Sequence, residues 1–413
     1  MLISAQASAW EPRYAQRAQR MVASEIRELL KVLERPNIVS FAGGIPDPKL
    51  FAVAEIGAAY AEVLSHPTSA GAGLQYSVSE GYAPLRQWIA DDMSRHGVPC
   101  APDNVVITNG SQQALEFLAR LLISPGDTAL VGMPTYLGAL QAFAAYEPRY
   151  DELRPEQGNR TPSSYRMAAA ASGGAVKLAY VVPDFANPTG ETLSVAARER
   201  LLDLAEQLDI PVLEDAAYRA LNFEGEPSPS ILSLDVARCG SIEGARTIYC
   251  GTFSKTLSPG LRVGWIVAPR PLIRRLVLVK QASDLNSATL NQMVMHRLAE
   301  TVYERQVAAA RAHYRGRRDR LLAALARHMP SDCRWSEPKG GLFVWLRLPN
   351  GQDSAALLGR AVEEAGVAFV PGAAFYFDRS GHDHLRLSYS LATDAEIDAG
   401  IARLAALIGS AAS

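Results

Sequence analysis

The stretch Gly251-Thr252-Phe253-Ser254-Lys255-Thr256-Leu257-Ser258-Pro259-Gly260-Leu261-Arg262-Val263-Gly264-Trp265 decides the fold. One lysine stands among small hydroxyl residues, a Ser-Pro-Gly turn follows, and an arginine comes seven positions later. Proline lacks the N–H and glycine is too free to continue a helix. Lys255 is therefore expected on a loop between two apolar runs, 247–250 and 263–267, which read as buried strands. A loop lysine beside hydroxyls and an arginine suits Schiff-base formation with an aldehyde cofactor, with Thr252, Ser254 and Arg262 holding an anionic tail such as a phosphate. The plain alternative is a solvated lysine beside a turn. Of the six lysines (31, 49, 177, 255, 280, 339), none of the others has this setting.

Upstream, strand and helix patterns alternate. Val105-Val106-Ile107-Thr108 reads as a strand, and Asn109-Gly110-Ser111-Gln112-Gln113 opens an apolar helix. A Gly-Ser-Gln turn at a helix start can cradle a phosphate, because free N–H groups and the positive helix end point at the anion; Ser111 could equally be an N-cap. No G-x-G-x-x-G and no P-loop lysine motif occurs, which argues against dinucleotide or nucleoside triphosphate binding. The strand 128–131 leads to Pro134-Thr135-Tyr136, where the ring could stack on a planar ligand or simply join the core. Residues 150–176 are expected to be loop and irregular surface. The strand 178–182 runs into Pro183-Asp184-Phe185-Ala186-Asn187-Pro188-Thr189-Gly190, a turn signature in its own right. The strand 210–215 ends in Glu214-Asp215 before Ala216-Ala217-Tyr218. A carboxylate there is costly unless paired, and a protonated pyridine nitrogen is one suitable partner. By strand alternation Glu214 faces the other side and reads as structural.

Downstream, helical patterns cover 271–281 and 289–328, separated by the polar segment 283–289. The C-terminal part is less regular: strands near 339–348, 367–370 and 385–390, and helices over 354–365 and 394–408. This texture suggests a smaller α+β domain. Arg386, inside an apolar strand, needs an anion: a substrate carboxylate or a structural salt bridge. At the N-terminal side, 11–35 has helical spacing and 53–65 reads as a helix. Gly43-Gly44-Ile45-Pro46 forms a loop whose glycines allow close approach to a ligand or mark a plain turn.

With 413 residues, the chain is long enough for two domains. A hydrophobic content of 48% and 20% charged residues are ordinary for a globular protein. A formal charge of −2 supplies no basic field for nucleic acid or a membrane surface. The four cysteines are far apart with no C-x-x-C spacing, so reduced thiols and a cytoplasmic location are expected. No signal peptide or transmembrane run is evident. His382 and His384 lack companion ligands, and no metal is expected.

Taken in order, Tyr76 with Gly81, Asn187-Pro-Thr-Gly, Asp215-x-x-Tyr218, Ser254-Lys255 with Arg262, and Leu385-Arg386-Leu387-Ser388-Tyr389 resemble fold-type I, class I/II aminotransferases. The resemblance spans roughly residues 41–390 and is nearest the 2-aminoadipate/kynurenine/aromatic branch. It implies an α/β fold: a large domain (46–290) with a mostly parallel seven-stranded sheet, a small α+β domain (291–413), and an N-terminal arm (1–45) joining the latter. It implies pyridoxal 5'-phosphate (PLP) on Lys255, with Ser111, Gln112, Ser254 and Arg262 about its phosphate. Tyr136 would lie over the ring, Asp215 at the ring nitrogen, and Asn187 and Tyr218 at the phenolic oxygen. Gly44, Asn187 and Arg386 would hold the substrate. Tyr76 would reach the phosphate of a neighbouring subunit, making a homodimer with shared active sites, and 283–289 would lie near the partner's phosphate. The implied reaction is transfer of an amino group from an aromatic, aliphatic or 2-aminoadipate-like L-amino acid to a 2-oxo acid such as 2-oxoglutarate, by a ping-pong route. The alternatives are β-lyase or synthase chemistry on the same framework, or an aminotransferase-like regulatory domain. For the last, residues 1–40 are too short to hold a DNA-binding module.

Overall fold

The structure, a computed structural model, describes residues 10–15, 17–18 and 38–410. Most of the helix expected over 11–35 lies outside these residues; within them Glu11–Arg13 is a single 3-10 turn.

The two apolar runs flanking Lys255 are strands Thr247–Thr252 and Gly264–Val267, paired antiparallel with Thr252 opposite Gly264. Together they sit inside a seven-stranded sheet. Across it the order is Val105–Thr108, Gly264–Val267, Thr247–Thr252, Val212–Asp215, Val176–Val181, Thr128–Gly132 and Arg149–Leu153. Only Gly264–Val267 runs against the rest. Apart from the edge strand Arg149–Leu153, the parallel strands are buried along most of their length because helices cover both faces. Val106, Tyr180, Leu213, Cys250 and Ile266 pack on one face against Leu115, Leu118 and Phe143; Val105, Ile107, Tyr249, Val267 and Trp265 pack on the other against Leu85, Ile89 and Val294. In such a sheet ligands gather beyond the carboxyl ends of the strands. Ser111, Tyr136, Asn187, Tyr218 and Lys255 all follow those ends, and Asp215 is the last residue of its strand.

A four-stranded antiparallel sheet forms the second layer, in the order Val370–Pro371, His384–Ser388, Phe343–Arg347 and Arg334–Trp335. Helices Tyr303–His328 and Asp394–Ser410 pack together beside it. Residues Val39–Ser40 pair in parallel with Val367–Ala368, which ties the chain just before the Gly-Gly loop to the C-terminal region.

Two expectations are corrected. Residues 150–176 are not irregular: Arg149–Leu153 is an edge strand, and Pro162–Ala171 is a helix capped by the Thr161 hydroxyl with proline in its first turn. The pattern over 289–328 is two helices, Thr289–Thr301 and Tyr303–His328. Val302 leaves helical geometry (φ −129°, ψ −10°) while its N–H still bonds to Leu298.

Candidate active site

Lys255 lies on the tight connection between strands Thr247–Thr252 and Gly264–Val267, half-buried, with Nζ donating to the Gly44 carbonyl at 2.9 Å. It stands 5.7 Å from the centroid of the Tyr218 ring. Burial, reinforced by the Arg386 and Arg262 charges, lowers its ammonium to a pKa of about 8, against the opposing pull of Asp215. A Cβ at Gly44 would fall 2.4 Å from Phe343 Cζ, so any larger residue there would force that ring to move. The loop is held by its neighbours, since the Phe41, Ala42 and Gly43 carbonyls accept from Ser388 N–H, Arg386 and Ser390 respectively.

Asp215 is buried, and one oxygen, Oδ2, accepts from the Tyr180 hydroxyl at 2.9 Å. Its other oxygen, Oδ1, has no partner. Burial raises this carboxyl to a pKa of about 6, although Tyr180, the Ala217 N–H and Lys255 all favour the ionised form. A buried carboxylate oxygen without a donor is costly, so the site has a place for a proton-bearing group. Glu214 instead serves the helix Ile231–Cys239, accepting from Ile231 N–H (2.9 Å) and Leu232 N–H (2.8 Å) at its N-terminus.

Around the start of helix Ser111–Leu122, Gly110 is the N-cap with φ 78° and ψ 168°. Ser111 is therefore the first helical residue, not the cap. The same glycine admits Arg262, because a Cβ at 110 would fall 2.3 Å from Arg262 Nη2. Arg262 itself has φ 55° and donates to the carbonyls of Asn109 (3.1 Å) and Pro259 (3.2 Å). Behind it, Lys280, wholly buried, bonds Asp284, Gln113 and Ser287, and Asp284 accepts from Asn109 and Gln113. The Gln112 side chain donates to the Gly138 carbonyl at 2.7 Å, and the Tyr136 ring lies over that same glycine. Ser254 joins through its N–H and hydroxyl to Thr252 Oγ1.

Arg386 bridges the two sheets. From the smaller one it donates through Nη1 to Asn187 Oδ1 at 2.7 Å and through Nη2 to the Ala42 carbonyl at 2.5 Å. Its guanidinium packs on Phe343 (4.3 Å) and Phe375 (5.1 Å). Only 1% is exposed, Nε is unpartnered, and among the described residues no carboxylate pairs with it. Burial lowers its pKa to about 10. The structural salt bridge open from sequence is thus absent among those residues. Tyr136, Asn187, Asp215 and Arg386 all act on the buried Tyr218 phenol, whose pKa burial pushes up.

Lys255, Asp215, Asn187, Tyr218, Tyr136, Gly44 and Arg386 thus come together, and Ser111, Gln112, Ser254 and Arg262 form a second group beside them. Tyr76 stays apart on the surface, 80% exposed, next to exposed Leu74 and Val78. Tyr180 is not singled out from sequence; its only signal is a phenol in the otherwise aliphatic run 178–182. A cleft of about 850 Å3 has Asn187 and Tyr180 in its wall but not Lys255, Asp215 or Arg386, so it adjoins this group. His384 stacks on Trp345 and bonds Asp383; among the described residues no cluster of three metal-ligating side chains occurs.

Comparison with known proteins converges on one family. The family of class I and II aminotransferases matches residues 48–404. The aromatic-amino-acid aminotransferase 1 of Thermococcus litoralis is 39% identical over 97% of this chain and 94% of its own length. Pyrococcus horikoshii kynurenine aminotransferase, solved with PMP, kynurenine and its product, superposes with a TM-score of 0.89 at 38% identity, covering 98% of each chain. The α-aminoadipate aminotransferase of Thermus thermophilus, solved with N-(5'-phosphopyridoxyl)-L-leucine, gives 0.86 at 37% identity over 97% of this chain and 98% of that one.

Proposed function

Because the chain belongs to the class I and II aminotransferases, we propose that it moves an amino group from an L-amino acid to a 2-oxo acid with PLP held on Lys255. The observation that carries this reading is the unpartnered Asp215 Oδ1 beside Lys255, opposite a buried arginine that lacks an anion. The unpartnered carboxylate oxygen fits a pyridinium N–H, and the buried guanidinium fits a substrate carboxylate.

When bound, PLP supplies an aldehyde that condenses with amines and a ring that takes up the electron pair left by the α-proton. The rest is done by the chain. Ser111 and Gln112 N–H groups, Ser254 and Arg262 hold the phosphate at the start of a helix. Asp215 keeps a proton on the ring nitrogen, Asn187 and Tyr218 face the phenolic oxygen, and Tyr136 covers the ring. Arg386, with Asn187 and the Gly44 segment, receives the α-carboxylate in a two-pronged contact. Lys255 Nζ would take the proton from substrate Cα as a base and deliver it as an acid to the cofactor's C4' carbon within the same half-reaction, and the second half of a ping-pong cycle would run that transfer in reverse; its lowered pKa leaves part of it neutral near pH 8.

The named relatives support an aromatic or 2-aminoadipate-like donor, the leucine adduct of the Thermus enzyme supports an aliphatic one, and 2-oxoglutarate is the acceptor we propose. Exposed Tyr76 supports a homodimer in which it completes the partner's phosphate site. No helix among the described residues is long and apolar enough to cross a membrane; the scattered, unpaired cysteines support a cytoplasmic location as part of the proposal. A panel of L-amino acids with 2-oxoglutarate tests the proposal. Formation of glutamate and the matching 2-oxo acid is expected; pyruvate and ammonia without glutamate, or silence across the panel, would contradict it.

A further inference from the structure

We propose that Tyr180 is a positioning residue: its phenol fixes the Asp215 carboxylate so that Oδ1 alone is presented, unpaired, to the cofactor's ring nitrogen. This rests on the reading that the chain holds PLP. Tyr180 lies on strand Val176–Val181, in register with Leu213 on the parallel strand Val212–Asp215. Since side chains alternate, Tyr180, Leu213 and Asp215 share one face. Asp215 is then the diagonal neighbour, roughly 7–8 Å away, a gap that a long aromatic side chain spans. The hydroxyl closes it at 2.9 Å on Oδ2.

A tyrosine hydroxyl has one proton to donate, and here it goes to Asp215. The ring cannot drift, because it is fully buried and meets the edge of Phe143 at 5.6 Å and 89°. On the opposite flank Asp215 is in register with Cys250, a buried thiol whose own pKa burial raises. The groups acting on Asp215 are therefore Tyr180, the Ala217 N–H, Lys255, Tyr218 and Cys250. Tyr180 is the side chain among them that donates a hydrogen bond to the carboxylate. Without it the carboxylate would lose its only side-chain hydrogen-bond donor among the described residues and keep the Ala217 N–H alone. Desolvation would then favour the neutral acid, which offers a proton where the ring nitrogen needs an acceptor.

The test compares apo-protein affinity for PLP and for an analogue in which the ring nitrogen is replaced by C–H. Tyr180→Phe is expected to weaken PLP at least tenfold, leave the analogue within twofold, and lower kcat at least tenfold with KM for the amino donor within twofold. Equal weakening of both ligands, or no change in either, would overturn the positioning role. Should Tyr180→Phe not fold, Asp215→Ala is compared with the double variant Tyr180→Phe/Asp215→Ala, which removes both the donor and the acceptor of the bond. Within that pair PLP affinity should differ less than twofold, and a further tenfold loss would overturn the proposal. If the wild-type apo-protein binds neither compound, the proposed function fails along with it.

Discussion

At Lys255 burial and charge push the same way: desolvation and two arginines favour the neutral amine, and Asp215 opposes them. The neutral amine is the nucleophile, so capture of PLP by the apo-protein should accelerate as pH rises through about 8 and level off above it. Stopped-flow absorbance between pH 6 and pH 10 checks this, and a flat profile would contradict it. At Arg386 a planar fork rests between two phenylalanines. Arg386→Lys keeps the charge but loses the two-pronged contact, worth roughly 1.5–3 kcal/mol for bonds to a charged group. Steady-state kinetics should show kcat/KM for amino donors falling about 10- to 100-fold. These residues were legible in the sequence because a loop lysine, a strand-end carboxylate and an arginine in an apolar strand each demand a partner. Tyr180 was not, because its role depends on the register between two strands, which residue type alone does not reveal.

Elements place the site where the strands end, and one turn carries much of the burden. Gly110 occupies a backbone region that only glycine enters readily, and it makes room for Arg262. Gly110→Ala should cost about 1–3 kcal/mol in strain and push the guanidinium off the start of helix Ser111–Leu122. A lowered melting temperature together with weakened PLP binding is the expected result; weakened stability with unchanged PLP affinity would separate the turn from the cradle. The buried strands 105–108, 128–132, 212–215 and 247–252 could be read from their β-branched runs. The edge strand Arg149–Leu153 could not, since only its last residue is buried and its sequence, Arg-Tyr-Asp-Glu-Leu, looks like surface. The break at Val302 was likewise hidden, because nothing in Glu300-Thr301-Val302-Tyr303 signals a stop by glycine or proline.

Across the whole molecule, the site draws on both sheets, the Gly-Gly loop and, in our reading, a second subunit. Arg386 from the smaller sheet reaches Asn187 in the loop that follows strand Val176–Val181 of the larger, so relative movement of the two would alter substrate binding. Tyr76→Phe should leave a dimer by sedimentation yet weaken PLP about tenfold, the loss of one hydrogen bond to a charged group; unchanged affinity would place the tyrosine outside the neighbouring site. The central claim is the attachment of the cofactor to one lysine. Protein incubated with PLP, reduced with borohydride and digested, should carry the phosphopyridoxyl mass on the peptide containing Lys255. The same mass on another lysine, or on none, would contradict the account.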